Sequence, residues 1–89
     1  MPNGPRSTIF PRMTETIARD GVVSLTVNGE RREIPRGWTL ADLLGSLDLH
    51  PRLVVVEHNR TILRDRAEYP RLVLREGDAL EIVHFVGGG

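Results

Sequence analysis

The segment VVSLTVNGERREI, residues 22–34, predicts a β-hairpin. Apolar and polar residues alternate in its first half, which is the period of two of a strand with one buried face. Asn28-Gly29 follows, and this dipeptide is a strong hairpin signal because both residues accept a positive φ. The return strand is predicted over residues 30–34, where Pro35 limits how far it can pair.

A helix of about ten residues, within the usual range for globular proteins, is predicted in the segment GWTLADLLGSLDLHP, residues 37–51. Thr39 and Asp42 have the spacing of a capping box. Four leucines recur at i, i+3, i+4 and i+7 and form one apolar helix face. Pro51 ends the segment.

Three further strands are predicted beyond the helix. A short apolar run at 53–57 is typical of a buried strand, residues 61–63 resume an extended conformation after a turn, and 80–86 form the final strand. The segment RDRAEYP, 64–70, is expected to be irregular or a single helical turn, and REGD, 75–78, a further turn.

This order of elements predicts an α+β fold, a mixed sheet of four to five strands with one main helix packed on one face. Compact closure places the last strand centrally, parallel to the first, which is the β-grasp arrangement. We expect residues 1–20 to be a disordered N-terminal arm, 21–86 the β-grasp domain and 87–89 a flexible C-terminal glycine tail.

The composition argues against several classes of protein. Twelve basic residues balance twelve acidic ones, so no nucleic-acid footprint is expected. The chain has no Cys, and therefore no disulfide or thiolate site. No apolar run approaches the roughly 20 residues that cross a bilayer, and the N-terminus lacks a secretory signal. We expect a cytoplasmic protein.

No catalytic or metal site is predicted. His50, His58 and His84 are scattered along the chain without ligand spacing, and each is expected to be structural or solvated. The arginines at 31–32 and in RDR, 64–66, are expected to lie on solvated faces rather than to bind phosphate. The protein is therefore expected not to be an enzyme.

The tail of three glycines, Gly87 to Gly89, has its own chemical possibilities. Without Cβ atoms, an extended main chain can enter a narrow channel, although ordering it costs about 1–2 kcal/mol per residue. A bare carboxylate is a poor electrophile, but joined to AMP by an ATP-dependent enzyme it becomes a reactive mixed anhydride. The reactive group would then be the carboxylate of Gly89.

The last strand also suggests a surface for a partner. Val83 and Phe85 would lie on the sheet face away from a single helix, and we include Val86 with them as candidate docking residues. An exposed apolar patch there would mark an interaction site. Scattered apolar exposure is the equal alternative.

Five motifs carry a family resemblance: T-V-N-G (Thr26 to Gly29), T-L-A-D-L-L (Thr39 to Leu44), V-V-V-E-H-N (Val54 to Asn59), E-G-D (Glu76 to Asp78) and the terminal E-I-V-H-F-V-G-G-G. In these motifs residues 21–89 resemble the ThiS family of thiamine-biosynthesis sulfur carriers, which have a ubiquitin-like β-grasp fold. One departure is Arg60, where the family turn commonly has Gly after Asn. The first 20 residues lie outside the resemblance.

The resemblance implies a sulfur carrier protein that is a co-substrate of other enzymes. An E1-like adenylating enzyme would use ATP and magnesium to activate Gly89, with no cofactor bound to the carrier itself. A persulfide donor such as a cysteine desulfurase would convert it to a thiocarboxylate, and thiazole synthase would accept the sulfur. Gly87 and Gly88 would be the part of the tail that threads the channel.

Three alternatives remain open from the sequence. A molybdopterin synthase small subunit has the same fold and chemistry with another acceptor. A ubiquitin-like modifier would be attached to proteins through Gly89. A non-catalytic β-grasp binding module would keep its function without Gly88 and Gly89.

Overall fold

The computed structural model describes residues 21–85. The predicted disordered arm, 1–20, the predicted docking residue Val86 and the predicted tail, Gly87 to Gly89, lie outside the described residues. The elements in chain order are β1 (Val22–Val27), β2 (Glu30–Pro35), α1 (Leu40–Ser46), a 3₁₀ turn (Pro51–Leu53), β3 (Val54–His58), β4 (Thr61–Ile62), a second 3₁₀ turn (Arg66–Glu68) and β5 (Ala79–His84).

The hairpin has the predicted two-residue turn. Asn28 and Gly29 have φ values of 53° and 84°, the left-handed conformation that a type I′ turn requires at both positions. The turn pairs Val27 with Glu30 and sets the register through to Val22 opposite Pro35. Val23, Leu25 and Val27 of β1 therefore lie on one buried face.

Helix α1 begins where the sequence predicts and ends earlier. The Thr39 hydroxyl accepts from the Asp42 N–H at 3.2 Å, and the Asp42 carboxylate accepts from the Thr39 N–H at 2.9 Å. The predicted end at Pro51 is wrong because the helix stops at Ser46. Asp48 adopts φ 59°, and the N–H groups of Asp48 and Leu49 bond back to carbonyls of the last turn, which is a Schellman motif.

The sheet has the predicted topology. Its five strands lie in the order β2-β1-β5-β3-β4. β5 is central, parallel to β1 and antiparallel to β3. Helix α1 covers one face, and its buried leucines pack against the sheet in a single core. The expected ubiquitin-like β-grasp fold is confirmed.

Two large core residues come from the segment between β4 and β5. Tyr69 and Leu74 are 2% and 1% exposed. The second 3₁₀ turn, the predicted single helical turn, places Tyr69 inward. Arg66 fastens this turn to the β3 side of the sheet, donating to the carbonyls of Pro51 and Val54 at 2.8 and 3.3 Å.

The bounds of four strands differ from the prediction. β2 ends at Pro35 rather than at residue 34, and β4 ends at Ile62 rather than at residue 63. Leu53 belongs to a 3₁₀ turn rather than to β3, because Pro51 begins that turn and His50 caps it. β5 spans 79–84 rather than 80–86. Its partner strand β3 begins only at Val54, and one further bond, from the Phe85 N–H to the Leu53 carbonyl, lies beyond both strands.

Candidate functional site

The C-terminal end of β5 is the part of the described domain nearest in sequence to the predicted reactive tail. Its last described hydrogen bond joins the Phe85 N–H to the Leu53 carbonyl at 2.8 Å. The predicted carrier residue, Gly89, is four residues further along and is outside the described residues. What the structure describes is how the strand that leads to Gly89 is held.

Asn28 holds this strand through its side chain. Its Oδ1 accepts from the Ile82 N–H at 2.7 Å, and its Nδ2 donates to the Ile82 carbonyl at 3.2 Å. Its own N–H donates to the Leu80 carbonyl at 2.8 Å. The paired β1–β5 register stops at Val27 and Leu80, so the amide side chain continues the ladder where the backbone of β1 turns away.

A second polar cluster holds the start of β5. Asn59 accepts from the Ala79 N–H at 2.8 Å and donates to Asp78 at 3.1 Å. His58 Nε2 lies 3.1 Å from the other Asp78 oxygen, which also accepts from the Arg75 N–H at 2.9 Å. This cluster joins the β3–β4 turn to the turn before β5.

The Asp78 carboxylate is the one buried charged group among residues 21–85. Burial by itself raises the pKa of Asp78. The hydrogen bond from the Arg75 N–H, those with His58 and Asn59, and the charge of His58 together outweigh burial and hold the pKa below its ordinary value. Asp78 therefore remains ionised and keeps these bonds at neutral pH.

The sheet face opposite α1 carries an apolar patch, which we call the outer patch. Two of the predicted docking residues belong to it, since Val83 and Phe85 are 58% and 50% exposed. Val83 lies opposite Val55 on β3. Leu53, bonded to Phe85, and Ile62 on β4 are also about half exposed. The outer patch consists of Leu53, Val55, Ile62, Val83 and Phe85.

The three histidines do not converge. His50 caps the first 3₁₀ turn through its Nδ1, His58 pairs with Asp78, and His84 lines a shallow groove of about 280 Å³ on the helix side of the sheet. Within residues 21–85 no three metal-ligating side chains come together, and no helix is long and apolar enough to cross a membrane.

The arginines singled out in the sequence have structural contacts. Arg31 donates to the Ser24 hydroxyl at 2.7 Å and pairs with Glu33 at 3.5 Å on an exposed face. Arg66 is exposed, as predicted, and also donates to the backbone carbonyls of Pro51 and Val54. Arg64 borders a groove of about 340 Å³ beside Val55 and Ile62.

Comparison with known proteins connects this strand and its tail to one family. The sequence model described as the ThiS family matches residues 25–89, from the middle of β1 through the three glycines. The chain belongs to the ThiS family. A crystal structure of ThiS from Geobacter metallireducens is similar with a TM-score of 0.63 and 31% identity, covering 75% of this chain and 100% of that one.

Curated relatives of this ThiS-family chain have two kinds of name. A thiazole synthase of Magnetococcus marinus is 40% identical over 67 residues, which are 75% of this chain but 20% of that protein. The sulfur carrier protein ThiS of Bacillus subtilis is 45% identical over 51 residues, 57% of this chain and 76% of that protein. The chain thus spans a fifth of the length of the thiazole synthase that it matches.

The two polar clusters that hold β5 were not predicted from the sequence. Asn28 and Asp78 were each assigned only to a turn, whereas each also bonds to a distant part of the chain. The signal was available in part, since both lie in motifs that carry the family resemblance, T-V-N-G and E-G-D. The partners of these side chains depend on the placement of β5 and could not be named from spacing.

Proposed function

We propose that this protein is a sulfur carrier for thiamine biosynthesis, with the carboxylate of Gly89 as the reactive group. The carboxylate is adenylated and then converted to a thiocarboxylate, whose sulfur is used to form a thiazole. The observation that carries the proposal is that the family match extends through Gly89. The carrier is a co-substrate and not a catalyst.

The fold supports this role by separating the stable domain from the reactive end. β5 is hydrogen-bonded on both sides, to β1 and to β3, and Asn28 continues its pairing as far as Ile82. Gly89 is four residues beyond Phe85, and at about 3.3–3.6 Å per extended residue this separation is at most roughly 14 Å. An enzyme that receives Gly89 in its active site must therefore also contact the end of the domain.

The expected partners follow from the chemistry of the tail. An E1-like adenylating enzyme uses ATP and magnesium, because a carboxylate needs a better leaving group before sulfur can attack it. The persulfide of a donor such as a cysteine desulfurase displaces AMP to form an acyl disulfide, and a thiol then reduces its S–S bond to release the thiocarboxylate. The name of the Magnetococcus marinus relative favours thiazole synthase over molybdopterin synthase as the acceptor. The cytoplasmic location remains a prediction.

We further propose that the outer patch docks the adenylating enzyme, with Val86 extending it. Half-exposed Val83 and Phe85 lie just before the tail, so a partner bound there would receive Gly89 without needing a longer tail. Changing Phe85 to Asp places a charge in the patch at a side chain that is 50% exposed and outside the buried core. We expect a folded variant that is adenylated poorly; normal adenylation would contradict the docking site.

The first test of sulfur carriage is the intact mass of the protein. The protein is incubated with ATP, magnesium, the adenylating enzyme of the same organism, a persulfide source and a thiol that reduces the acyl disulfide. We expect a mass gain equal to the exchange of one oxygen for one sulfur. The gain should be lost when Gly89 is deleted, while the thermal unfolding temperature stays unchanged. No gain with a demonstrably active enzyme would refute the proposal.

Two outcomes would favour other functions. Isopeptide-linked adducts ending in the Gly87–Gly89 sequence would identify a protein modifier. Full biological function after deletion of Gly88 and Gly89 would identify a binding module whose tail is inert.

A further inference from the structure

The outer patch adjoins two carboxylates that face each other across the sheet. Glu57 on β3 and Glu81 on β5 are direct partners in the antiparallel register, one step from the Val55–Val83 pair. Because side chains alternate between faces, both lie on the sheet face opposite α1. Ile62 on β4 is the next partner of Glu57. Apolar side chains thus border the two carboxylates on two sides.

Like charges directly opposite each other on neighbouring strands destabilise a sheet. Glu57 is half-buried and Glu81 exposed. Neither carboxylate makes a hydrogen bond or an ion pair with any residue in the described range, 21–85. The register leaves two negative charges beside each other with no compensation inside the domain.

The nearby cations do not neutralise this pair. Arg31 lies on the edge strand β2 and is bonded to Ser24 and Glu33. Arg66 is used in backbone hydrogen bonds at 2.8 and 3.3 Å. Arg64 borders the groove beside Ile62 but forms no ion pair with either carboxylate. Within residues 21–85 no cation is paired with either carboxylate, so a cation supplied by another molecule meets no competitor from this range.

From this geometry, and resting on the proposed function, we propose that the adenylating enzyme places an arginine or lysine side chain between Glu57 and Glu81. Apolar residues of the enzyme pack around it on Val55, Val83 and Ile62. A guanidinium can bond to both carboxylates at once. A charged contact surrounded by apolar residues that exclude water is the arrangement in which arginine contributes most to a protein interface.

The proposal implies opposite effects on the free domain and on the complex. In the free domain the carboxylate pair is repulsive, so removing the charges should raise thermal stability. In the complex, the same change removes the two carboxylates that would pair with the desolvated arginine or lysine of the enzyme. The affinity for the enzyme should therefore fall. If the surface contributed only apolar contacts, removing the two charges could raise thermal stability but would not lower the affinity for the enzyme.

The test compares two double variants of equal charge change. Glu57→Gln with Glu81→Gln removes the pair. Glu30→Gln with Glu68→Gln is the control, because these exposed residues lie outside the outer patch. Binding to the adenylating enzyme of the same organism is measured by calorimetry with ATP and magnesium at low and moderate salt, and thermal unfolding is measured on each free protein.

We expect the Glu57/Glu81 variant to bind at least about ten-fold more weakly, the lower end for breaking a buried charge pair, and to depend less on salt. Its unfolding temperature should rise, and the control should keep wild-type affinity. Affinity equal to that of the control, or a lower unfolding temperature, would overturn the inference. The mass test of sulfur carriage separates this inference from the proposed function. If the wild-type protein gains sulfur in that test but the Glu57/Glu81 variant binds the enzyme normally, only this inference fails. If the wild-type protein gains no sulfur, the proposed function fails.

Discussion

Replacing Asn28 with glycine tests whether its side chain holds the strand that leads to the tail. Glycine accepts the φ of 53° found at this position without strain, so the substitution leaves the turn in place. It removes both hydrogen bonds to Ile82, of 2.7 and 3.2 Å. The Asn28→Gly variant therefore separates the side-chain bonds from the turn.

The expected loss is worked from these two bonds. Each net bond contributes about 0.5–1.5 kcal/mol, and Asn28 is exposed enough for water to replace part of that. We expect the free energy of unfolding to fall by about 1–1.5 kcal/mol in total. In a domain of this size each kcal/mol shifts the unfolding temperature by about 4–8 °C, so a decrease of about 4–12 °C is expected.

Two measurements check this expectation. Circular dichroism gives the unfolding temperature, and amide hydrogen exchange of Ile82 reports the bond that Asn28 accepts. The matched variant Asn28→Asp keeps that acceptor but places an oxygen against the Ile82 carbonyl, so it should also be destabilised at neutral pH. Two results together would refute the role of the Asn28 side chain in holding β5. In Asn28→Gly, the amide exchange rate of Ile82 would be unchanged, and the unfolding temperature would shift by less than about 2 °C, half the lower bound expected.

Three further changes test the turns, the helix and the Asp78 cluster. Arg60→Gly should stabilise the domain by about 0.5–1 kcal/mol in urea unfolding, because Arg60 has φ 71° and a left-handed conformation is costly outside glycine; Arg60→Ala, which keeps the strain, should not. Gly45→Ala should add about 1 kcal/mol to the stability, since a Cβ there meets no atom within 4 Å; a loss would show that α1 needs glycine. Asp78→Asn should lower stability by about 2 kcal/mol at pH 7. Folding lowers the pKa of Asp78, so the contribution of its carboxylate to stability is complete above the unfolded pKa of about 3.9 and is lost as pH falls through the folded pKa. The stability of Asp78→Asn should therefore decrease less than that of the wild type as the pH is lowered. Parallel curves of stability against pH from pH 7 to pH 2 would contradict this.

Much of the local structure could be predicted because short-range chemistry determines it. The left-handed preference of Asn28 and Gly29 determines the hairpin turn, and Thr39 with Asp42 determines the start of α1. The end of α1 was mispredicted because Asp48, not a glycine, takes the left-handed position. The left-handed conformation of Arg60 was not predicted, because arginine has no local preference for a positive φ.

The candidate site was predictable in its chemistry more than in its geometry. The glycine tail and the apolar residues of the last strand are visible in the sequence, because a residue without a side chain or an unpartnered apolar position is a local property. The pairing of Glu57 with Glu81 and the bonds of Asn28 to Ile82 are not visible in the sequence, because each joins residues more than 20 positions apart. Spacing along the chain carries no information about such pairs.

By itself, the sequence determined the β-hairpin, the capped start of the helix and the buried face of the strands, because each depends on residues a few positions apart. Only the tertiary structure decided which side chains meet. Placing β5 between β1 and β3 brought Asn28 to Ile82, Asn59 to Asp78 and Glu57 to Glu81. That register follows from burying the apolar faces of β1, β3 and β5 against α1 in one core, and burial is a property of the whole domain.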